Sequence, residues 1–412
     1  MQIYMVGGAV RDALLGLKVA DHDWVVVGAT PEELTVQGYL PVGKDFPVFL
    51  HPKTREEYAL ARTERNTARG YRGFEVHAAP DVTLAQDLAR RDLTINSIAA
   101  RARPARADGR IDPDLGTLVD PYGGQQDLQD KVLRHVTDAF RDDPVRVLRL
   151  ARFAARFADF TVAPSTLALM QDMVDDGEVD ALVAERVWQE LSRGLMENTP
   201  SRMFEVLREC GALKKVLSEV DQLWAVPQRA GHHPQVDAGV QLMRVLDMSA
   251  QLQASLPVRF ACLMIKSGSD SNLIIQDVCE RLRLPADCRE LAELVAREHG
   301  NIHRSAEFGA AALVRLLERC DAFRKPKRFG DALLACECDA RALLRLENSA
   351  YPQRRRLAQV LQAAQSVATE PVAQAAQAAG LVGQHIGEMI HTARVQAVQD
   401  WLGTSPPGST GF

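Results

Sequence analysis

The sequence predicts an α+β chain, with a mixed sheet and flanking helices at the N-terminus and an all-α remainder. Three observations carry this. Short β-branched and apolar runs bounded by Gly and Asp alternate with helical stretches as far as about Asp127. Beyond that point apolar residues recur at helical spacing and strand signals are few. The length of 412 residues, 46% hydrophobic and 25% charged, suits roughly two to four packed units and excludes a fibre or a disordered chain.

In chain order, residues 3–6 are expected as a strand closed by Gly7-Gly8, residues 11–17 as a helix, and residues 24–27 as a strand bounded by Asp23 and Gly28. Residues 48–51 and 57–61 are two more strands. After Pro144, the apolar Val145, Leu148, Phe153 and Phe157 share turns with Arg146, Arg149, Arg152 and Arg156. That is an amphipathic helix with one basic face, which charge pattern alone reads as solvated. Pro227, Gly231 and Pro234 punctuate a boundary, residues 266–272 form a loop between helices, residues 341–399 are further helices, and residues 403–412 are a frayed tail.

Composition narrows the function classes. Charges at Arg11, Asp12, Lys18 and Asp21 interrupt any signal-like or membrane-spanning apolar core, so a cytoplasmic location without membrane contact is expected. All seven cysteines lie at or beyond Cys210, and the only close pair, Cys336 and Cys338, has neither zinc nor thioredoxin spacing. They are expected to be buried thiols. A net charge of -5 argues against coating nucleic acid indiscriminately, yet leaves room for a local basic groove.

Three clusters carry chemistry. The first is Gly7-Gly8-x-x-Arg11-Asp12 followed by Asp21-x-Asp23 at the head of an apolar strand. Residues two apart on a strand face the same way, so Asp21 and Asp23 bring two carboxylates together. They repel unless a cation lies between them, and hard oxygen ligands suit Mg²⁺ bridging to substrate phosphates. The glycine pair lets backbone N–H groups approach a polyphosphate, with Arg11 adding charge. The second cluster, Arg90-Arg91-Asp92-Leu93-Thr94-Ile95-Asn96, joins phosphate-suited guanidinium groups to short polar side chains; read without a function, it is a capped helix start. In the third, Asp142-Asp143-Pro144 begins the helix of Arg146, Arg149 and Arg152; a helix start explains the Asp and Pro but not the arginines.

In this order, the clusters resemble the bacterial class II tRNA nucleotidyltransferases, the CCA-adding enzymes of the polymerase-β nucleotidyltransferase superfamily. The resemblance implies that Gly8 and Arg11 hold the incoming triphosphate, and that Asp21 and Asp23 bind catalytic Mg²⁺. Glu57 matches the third carboxylate, which helps deprotonate the tRNA 3′-hydroxyl. Arg91 would contact phosphate while Asp92 and Asn96 orient the sugar. Asp143 and Arg146 match the pair that reads the Watson–Crick edge of CTP or ATP, braced by Arg149 and Arg152. Residues 62–73 resemble the family's flexible loop, which implies addition of the whole CCA. The implied layout is a nucleotidyltransferase head (1–137), a helical neck with the nucleotide template (138–225), a helical body (226–345) and a helical tail (346–412). The implied partners are ATP, CTP and the acceptor arm and elbow of tRNA, with no DNA, for a chain expected to be a monomer; Arg324-Lys325-Pro326-Lys327-Arg328 is a candidate elbow contact.

The sequence also departs from the pattern. The closest subgroup carries a metal phosphohydrolase domain, but Gln241 stands where its first histidine ligand belongs, and Ile265 and Lys266 replace its His-Asp pair. Such side chains do not hold a transition metal, so the body is expected to be a degenerate HD-type scaffold without phosphatase activity. His232 and His233 read as a loop feature. Residues 101–116 are an apparent insertion, expected as an extended hairpin or loop, and Asp142 replaces a family glutamate. Four alternatives remain. A poly(A) polymerase shares several motifs, although Asp23-Trp-Val-Val-Val-Gly and Gly43-Lys-Asp-Phe-Pro-Val-Phe favour tRNA repair. The others are a partial nucleotidyltransferase that adds only CC or only A, a non-catalytic tRNA-binding protein and a phosphohydrolase.

Overall fold

The computed structural model describes residues 1–19, 21–42, 48–66, 74–104, 111–225, 237–266, 271–343, 346–379 and 382–404. The segments 43–47 and 67–73, the histidine pair at 232 and 233 with its flanking prolines, residues 267–270 and the tail beyond 404 lie outside them. The chain packs as two compact units, Met1–Gly194 with Arg202–Val216, and Leu195–Ser201 with the residues from Leu217 onward.

The first unit opens with β1 (Gln2–Val6), α1 (Gly8–Leu14), β2 (Asp23–Val27), α2 (Pro31–Val36), β3 (Leu40–Val42), β4 (Val48–Leu50) and β5 (Glu57–Leu60). The antiparallel pair β6 (Arg62–Asn66) and β7 (Phe74–Ala78), α3 (Leu84–Ala89), β8 (Ala99–Ala102), β9 (Pro113–Val119) and α4 (Gly124–Asp130) follow. A seven-stranded sheet runs β3-β4-β5-β2-β1-β8-β9; β2 and β5 are parallel neighbours and the other neighbouring pairs antiparallel. Met5, Val6, Trp24, Val25 and Val26 are almost wholly buried, because the central strands are covered on both faces.

Several local expectations shift. The first helix begins at Gly8, not Arg11, because Gly7 takes a left-handed φ of 71° that turns the chain straight from strand into helix, with Arg11 N–H donating to Gly7 O at 3.1 Å. Strand β2 starts at Asp23, so Asp21 precedes the strand and does not share its pleat. Thr30 and Thr83 open α2 and α3 with capping boxes completed by Glu33 and Gln86. Arg90 therefore ends a helix, where a helix start was expected, and a single 3-10 turn, Thr94–Asn96, follows. The described part of the 101–116 insertion is a hairpin extension, with Arg101 opposite Asp114 and Ala102 opposite Pro113.

The first unit continues with the short parallel pair β10 (Val132–Leu133) and β11 (Thr161–Val162), and with α5 (Val145–Arg156), α6 (Pro164–Asp175), α7 (Ala184–Leu195), α8 (Ser201–Glu209) and α9 (Ala212–Val216). Val147, Leu148, Leu150, Ala151 and Ala154 of α5 are fully buried. The basic face is not simply solvated: Arg146 and Arg152 are only 8% and 9% exposed, while the Arg149 and Arg156 side chains are 35% and 33% exposed. All four have protein partners, described below.

The second unit is helical: α10 (Ser218–Asp221), α11 (Ala238–Gln251), α12 (Leu256–Met264), α13 (Ser271–Arg281), α14 (Ala286–His303), α15 (Ala310–Arg319), α16 (Pro326–Arg341), α17 (Pro352–Gln365), α18 (Thr369–Ala378) and α19 (Gln384–Thr404). Its core packs α12 against α11, α14 and α16, and Val258, Phe260, Val295 and Leu333 are among its buried side chains. All seven cysteines are free and buried, as the sequence suggests. Among the described residues no helix is long and apolar enough to cross a membrane.

Candidate active site

A cavity of about 630 Å³ opens in the first unit. Its walls carry every phosphate- and base-contact residue expected from the sequence (Gly8, Arg11, Arg91, Asp92, Asn96, Asp143, Arg146, Arg149 and Arg152), together with Asp21 and Asp23. Cationic side chains outnumber carboxylates along it, so the field suits an anion of nucleotide size. Glu57 is not part of the lining.

The carboxylate end is built by strand register. Asp23 is the first residue of β2, and Glu57, first on the parallel β5, is its direct neighbour. Glu57 is exposed and its side chain makes no hydrogen bond among the described residues, whereas Glu56 is held by His22 Nδ1 at 2.9 Å and Thr54 Oγ1 at 3.0 Å. Asp23 keeps a solvent-facing edge but is crowded by protein. That crowding raises its carboxyl above the usual range, Arg91 opposes the shift, and the nearby Asp21 adds to it. Among the described residues no three His, Cys, Asp or Glu side chains close on one point. Asp21 and Asp23 are thus a crowded, mutually repelling pair of hard oxygen donors, a set that fits a divalent cation also ligated by phosphate.

The phosphate end is built by glycine. A Cβ at Gly7 would stand 3.0 Å from Arg91 Nη1, and one at Gly8 would stand 3.3 Å from Arg11 Nη2, so the turn brings backbone close to both guanidinium groups. Arg11 is nearly saturated: Nε donates to Asp12 Oδ1 at 2.8 Å, Nη1 donates to Asn96 Oδ1 at 2.6 Å, and the guanidinium lies over the rings of Phe153 and Phe157. Burial lowers its pKa, with Asp12 opposing. Arg91 is less engaged, and its buried Nε has no hydrogen-bond partner among the described residues.

The third wall is a set of guanidinium–carboxylate pairs. Arg186 holds Asp143, Arg149 holds Asp92 through Nε at 2.9 Å and Nη2 at 2.6 Å, Arg152 donates to Glu190 at 2.6 Å, and Arg156 donates to Asp12 at 2.8 Å. Arg146 Nη1 donates to Ala139 O at 2.6 Å. Burial alone would raise the Asp92 carboxyl, but Arg149 and a hydrogen bond from Asn96 outweigh it and hold the acid far below its usual range. Asp92 and Asn96, expected at the sugar, also tie Arg11 to Arg149.

Sequence reading missed Arg186, Glu190, Asp87, Lys18 and Arg193. Glu190 had a detectable signal: it lies on the apolar side of α7 with Val187 and Leu191, where an unpaired carboxylate would be costly. Lys18 and Arg193 line the cavity without any local pattern.

In the second unit, Gln241 and Ile265 are buried, and Gln241 Nε2 has no partner among the described residues. Lys266 Nζ lies 2.9 Å from Asp339 Oδ1, an ion pair by distance but not aligned as a hydrogen bond, and His303 Nε2 lies 3.4 Å from Asp339 Oδ2. In the candidate elbow cluster, Arg324 pairs with Asp321, Lys325 and Arg328 with Glu290, and Lys327 with Asp331.

Residues 3–134 match the family model described as the Poly A polymerase head domain, and residues 159–223 match the one described as a probable RNA and SrmB-binding site of polymerase A. The chain is similar to a multifunctional CCA protein of Polaromonas naphthalenivorans, at 68% identity over 422 residues covering 98% of this chain and 100% of the relative. In fold it is similar to a CCA-adding enzyme in apo form II, with a TM-score of 0.62, 20% identity, and coverage of 98% of this chain and 92% of the other. It is likewise similar to the Thermotoga maritima CCA-adding enzyme complexed with tRNA, with a TM-score of 0.61, 21% identity, and coverage of 98% and 88%.

Proposed function

Because the chain belongs to the multifunctional CCA protein family, we propose that the cavity of its first unit is where CTP and ATP are joined in turn to the 3′ end of tRNA. The reaction is nucleotidyl transfer: the terminal 3′-hydroxyl attacks the α-phosphorus, a new phosphodiester forms, and pyrophosphate leaves. The observation that supports this reading most is that one cavity carries both the Asp21 and Asp23 pair and the Asp143 and Arg146 pair.

Asp21 and Asp23 would hold Mg²⁺, which would lower the pKa of the attacking hydroxyl and offset charge on the leaving oxygens. Glu57, on the strand beside Asp23 but outside the cavity lining, helps deprotonate the 3′-hydroxyl. Arg91 and the backbone N–H groups at Gly8 hold the triphosphate, and Arg11 fixes the turn beneath it. Asp143 and Arg146 read the base. Cytosine and adenine each present an exocyclic amine donor beside a ring-nitrogen acceptor, and a carboxylate with a guanidinium satisfies both; guanine and uracil reverse the pattern at that edge and leave buried groups unpaired. Asp143 already accepts from Arg186, but a carboxylate has lone pairs to spare for an amine. The head (1–137) and neck (138–225) are the catalytic parts of this reading. The body, with Gln241, Ile265 and Lys266 at the ligand positions, serves as a scaffold without phosphohydrolase chemistry.

The experiment is extension at single-nucleotide resolution of tRNAs ending before CCA, at C and at CC, with Mg²⁺ and CTP, ATP or both, beside an Asp21→Ala control. Ordered addition of C, C and A that then stops is the expected result. A run of A without C would assign the chain to poly(A) synthesis, and no extension would leave only tRNA binding. Asp143→Ala is expected to relax selection of C and A more than it weakens triphosphate binding.

A further inference from the structure

Asp87, on α3, is fully buried and lies outside the cavity lining, yet it meets two arginines that belong to that lining. Its Oδ1 accepts from Arg90 Nε at 3.2 Å and Nη2 at 2.9 Å, and from Arg62 N–H at 3.3 Å. Its Oδ2 accepts from Arg91 Nη2 at 3.2 Å. Arg90 Nε also donates to Arg62 O at 3.2 Å, so this one carboxylate ties the end of α3 to the first residue of β6. Burial alone would neutralise Asp87, but the two guanidinium groups outweigh it and keep its pKa below the usual range.

Arg91 has two competing destinations. It lines the same cavity as the Asp23 carboxylate, and its Nη1 faces the turn at Gly7. A guanidinium left unrestrained beside a carboxylate closes into a bidentate pair. Were that carboxylate Asp23, the pair would block a cation ligand and withdraw the phosphate contact together. Arg91 instead has Nη2 fixed from behind, while its buried Nε has no hydrogen-bond partner among the described residues.

We infer that Asp87 is a positioning residue for nucleotide binding: it holds Arg91 at the Gly7 turn, ready for the triphosphate, and off the Asp23 carboxylate. The inference rests on the cavity being the nucleotide site. Asp87 touches neither substrate nor cation and acts through Arg91 alone.

The test is binding of CTP and of ATP, each with Mg²⁺ and without tRNA, by isothermal titration to the full chain, set beside thermal unfolding. Asp87→Asn keeps the shape and an acceptor but loses the charge, and is expected to weaken both nucleotides by about tenfold, the scale of one charge-assisted hydrogen bond. In the extension reaction KM should rise for both nucleotides while kcat changes less. Since a neutral group at this buried site can impair folding, Asp87→Glu is the second variant. It restores the charge at the expense of packing, and should recover nucleotide affinity at a lower Tm. The inference fails if Asp87→Asn binds both nucleotides as wild type does, or if affinity follows Tm across the two variants instead of following charge. Absence of CCA addition by the wild-type chain would count against the proposed function and not against this inference, whose readout is affinity.

Discussion

Arg186 grips Asp143 with both terminal nitrogens, Nη1 to Oδ1 at 2.9 Å and Nη2 to Oδ2 at 2.7 Å, across 43 residues of chain. The planar fork fixes the plane of the carboxylate, and under the proposed function that plane would decide which base edge is read. Arg186→Ala is therefore expected to lower kcat/KM for CTP and ATP by about ten- to a hundredfold and to raise incorporation of UTP. Arg186→Lys keeps the charge without the fork and should restore catalysis more than selectivity. Steady-state kinetics with all four nucleotides would check this, and an unchanged nucleotide preference in Arg186→Ala would remove Arg186 from base reading.

The Asp92 and Arg149 pair predicts coupling. Asp92 is almost completely buried and Arg149 is its principal counter-ion, so removing either leaves a charge without its partner. Arg149→Met, which strands the buried carboxylate, should destabilise the chain by about 3 kcal/mol, Asp92→Asn by less because the Arg149 side chain is 35% exposed, and the double variant by less than the sum. Urea unfolding of all four proteins measures the coupling; additive losses would mean that the pair is not the source of stability.

Asp339 predicts an acid-dependent contribution in the second unit. Burial would raise its carboxyl, but His303 and Lys266 hold it down at about 2. A depressed folded-state pKa gives stability that is present above the unfolded value and lost as pH falls towards the folded one. The ion pair should thus contribute about 2 kcal/mol at pH 7, fading from about pH 4 downward. The gap between wild type and Asp339→Asn in urea midpoints should shrink on going from pH 7 to pH 3, and a constant gap would contradict the assignment.

The same residues predict the absence of a second activity. Gln241, Ile265 and Lys266 stand where the resemblance places metal ligands, and the Lys266 ammonium lies 2.9 Å from Asp339, so a positive charge occupies the place a cation would need. Hydrolysis of p-nitrophenyl phosphate should stay at background with added Mg²⁺, Mn²⁺ or Ni²⁺. Turnover that depends on one of these metals and survives Asp21→Ala would restore a phosphohydrolase reading of the body.

Much of the candidate site was legible because its motifs are local. Gly7-Gly8, Asp21-x-Asp23 and the run from Arg90 to Asn96 each fall within a few residues, and their order along the chain carries the resemblance from which their roles are taken. The strands around Trp24 and Tyr58 are local too, and their apolar runs name themselves. Partners distant in sequence were not legible. Nothing near Asp12 announces Arg156, 144 residues away, and nothing near Arg152 announces Glu190. Charge patterning misled for the same reason: the arginines of α5 read as a solvated face until the carboxylates that pair with them came into view. The alternation expected of Asp21 and Asp23 fails because β2 begins only at Asp23.

The seven cysteines turn the chain into its own unfolding sensor. Each thiol is buried, and burial pushes Cys210 and Cys279 up to about 11 and Cys288 and Cys320 up to about 12, so few thiolates exist at neutral pH. An alkylating reagent must wait for a local opening. Cys210 lies in the first unit and the other six in the second. The order in which adducts accumulate, read peptide by peptide in a mass spectrometer, would therefore time the opening of each unit without any introduced label.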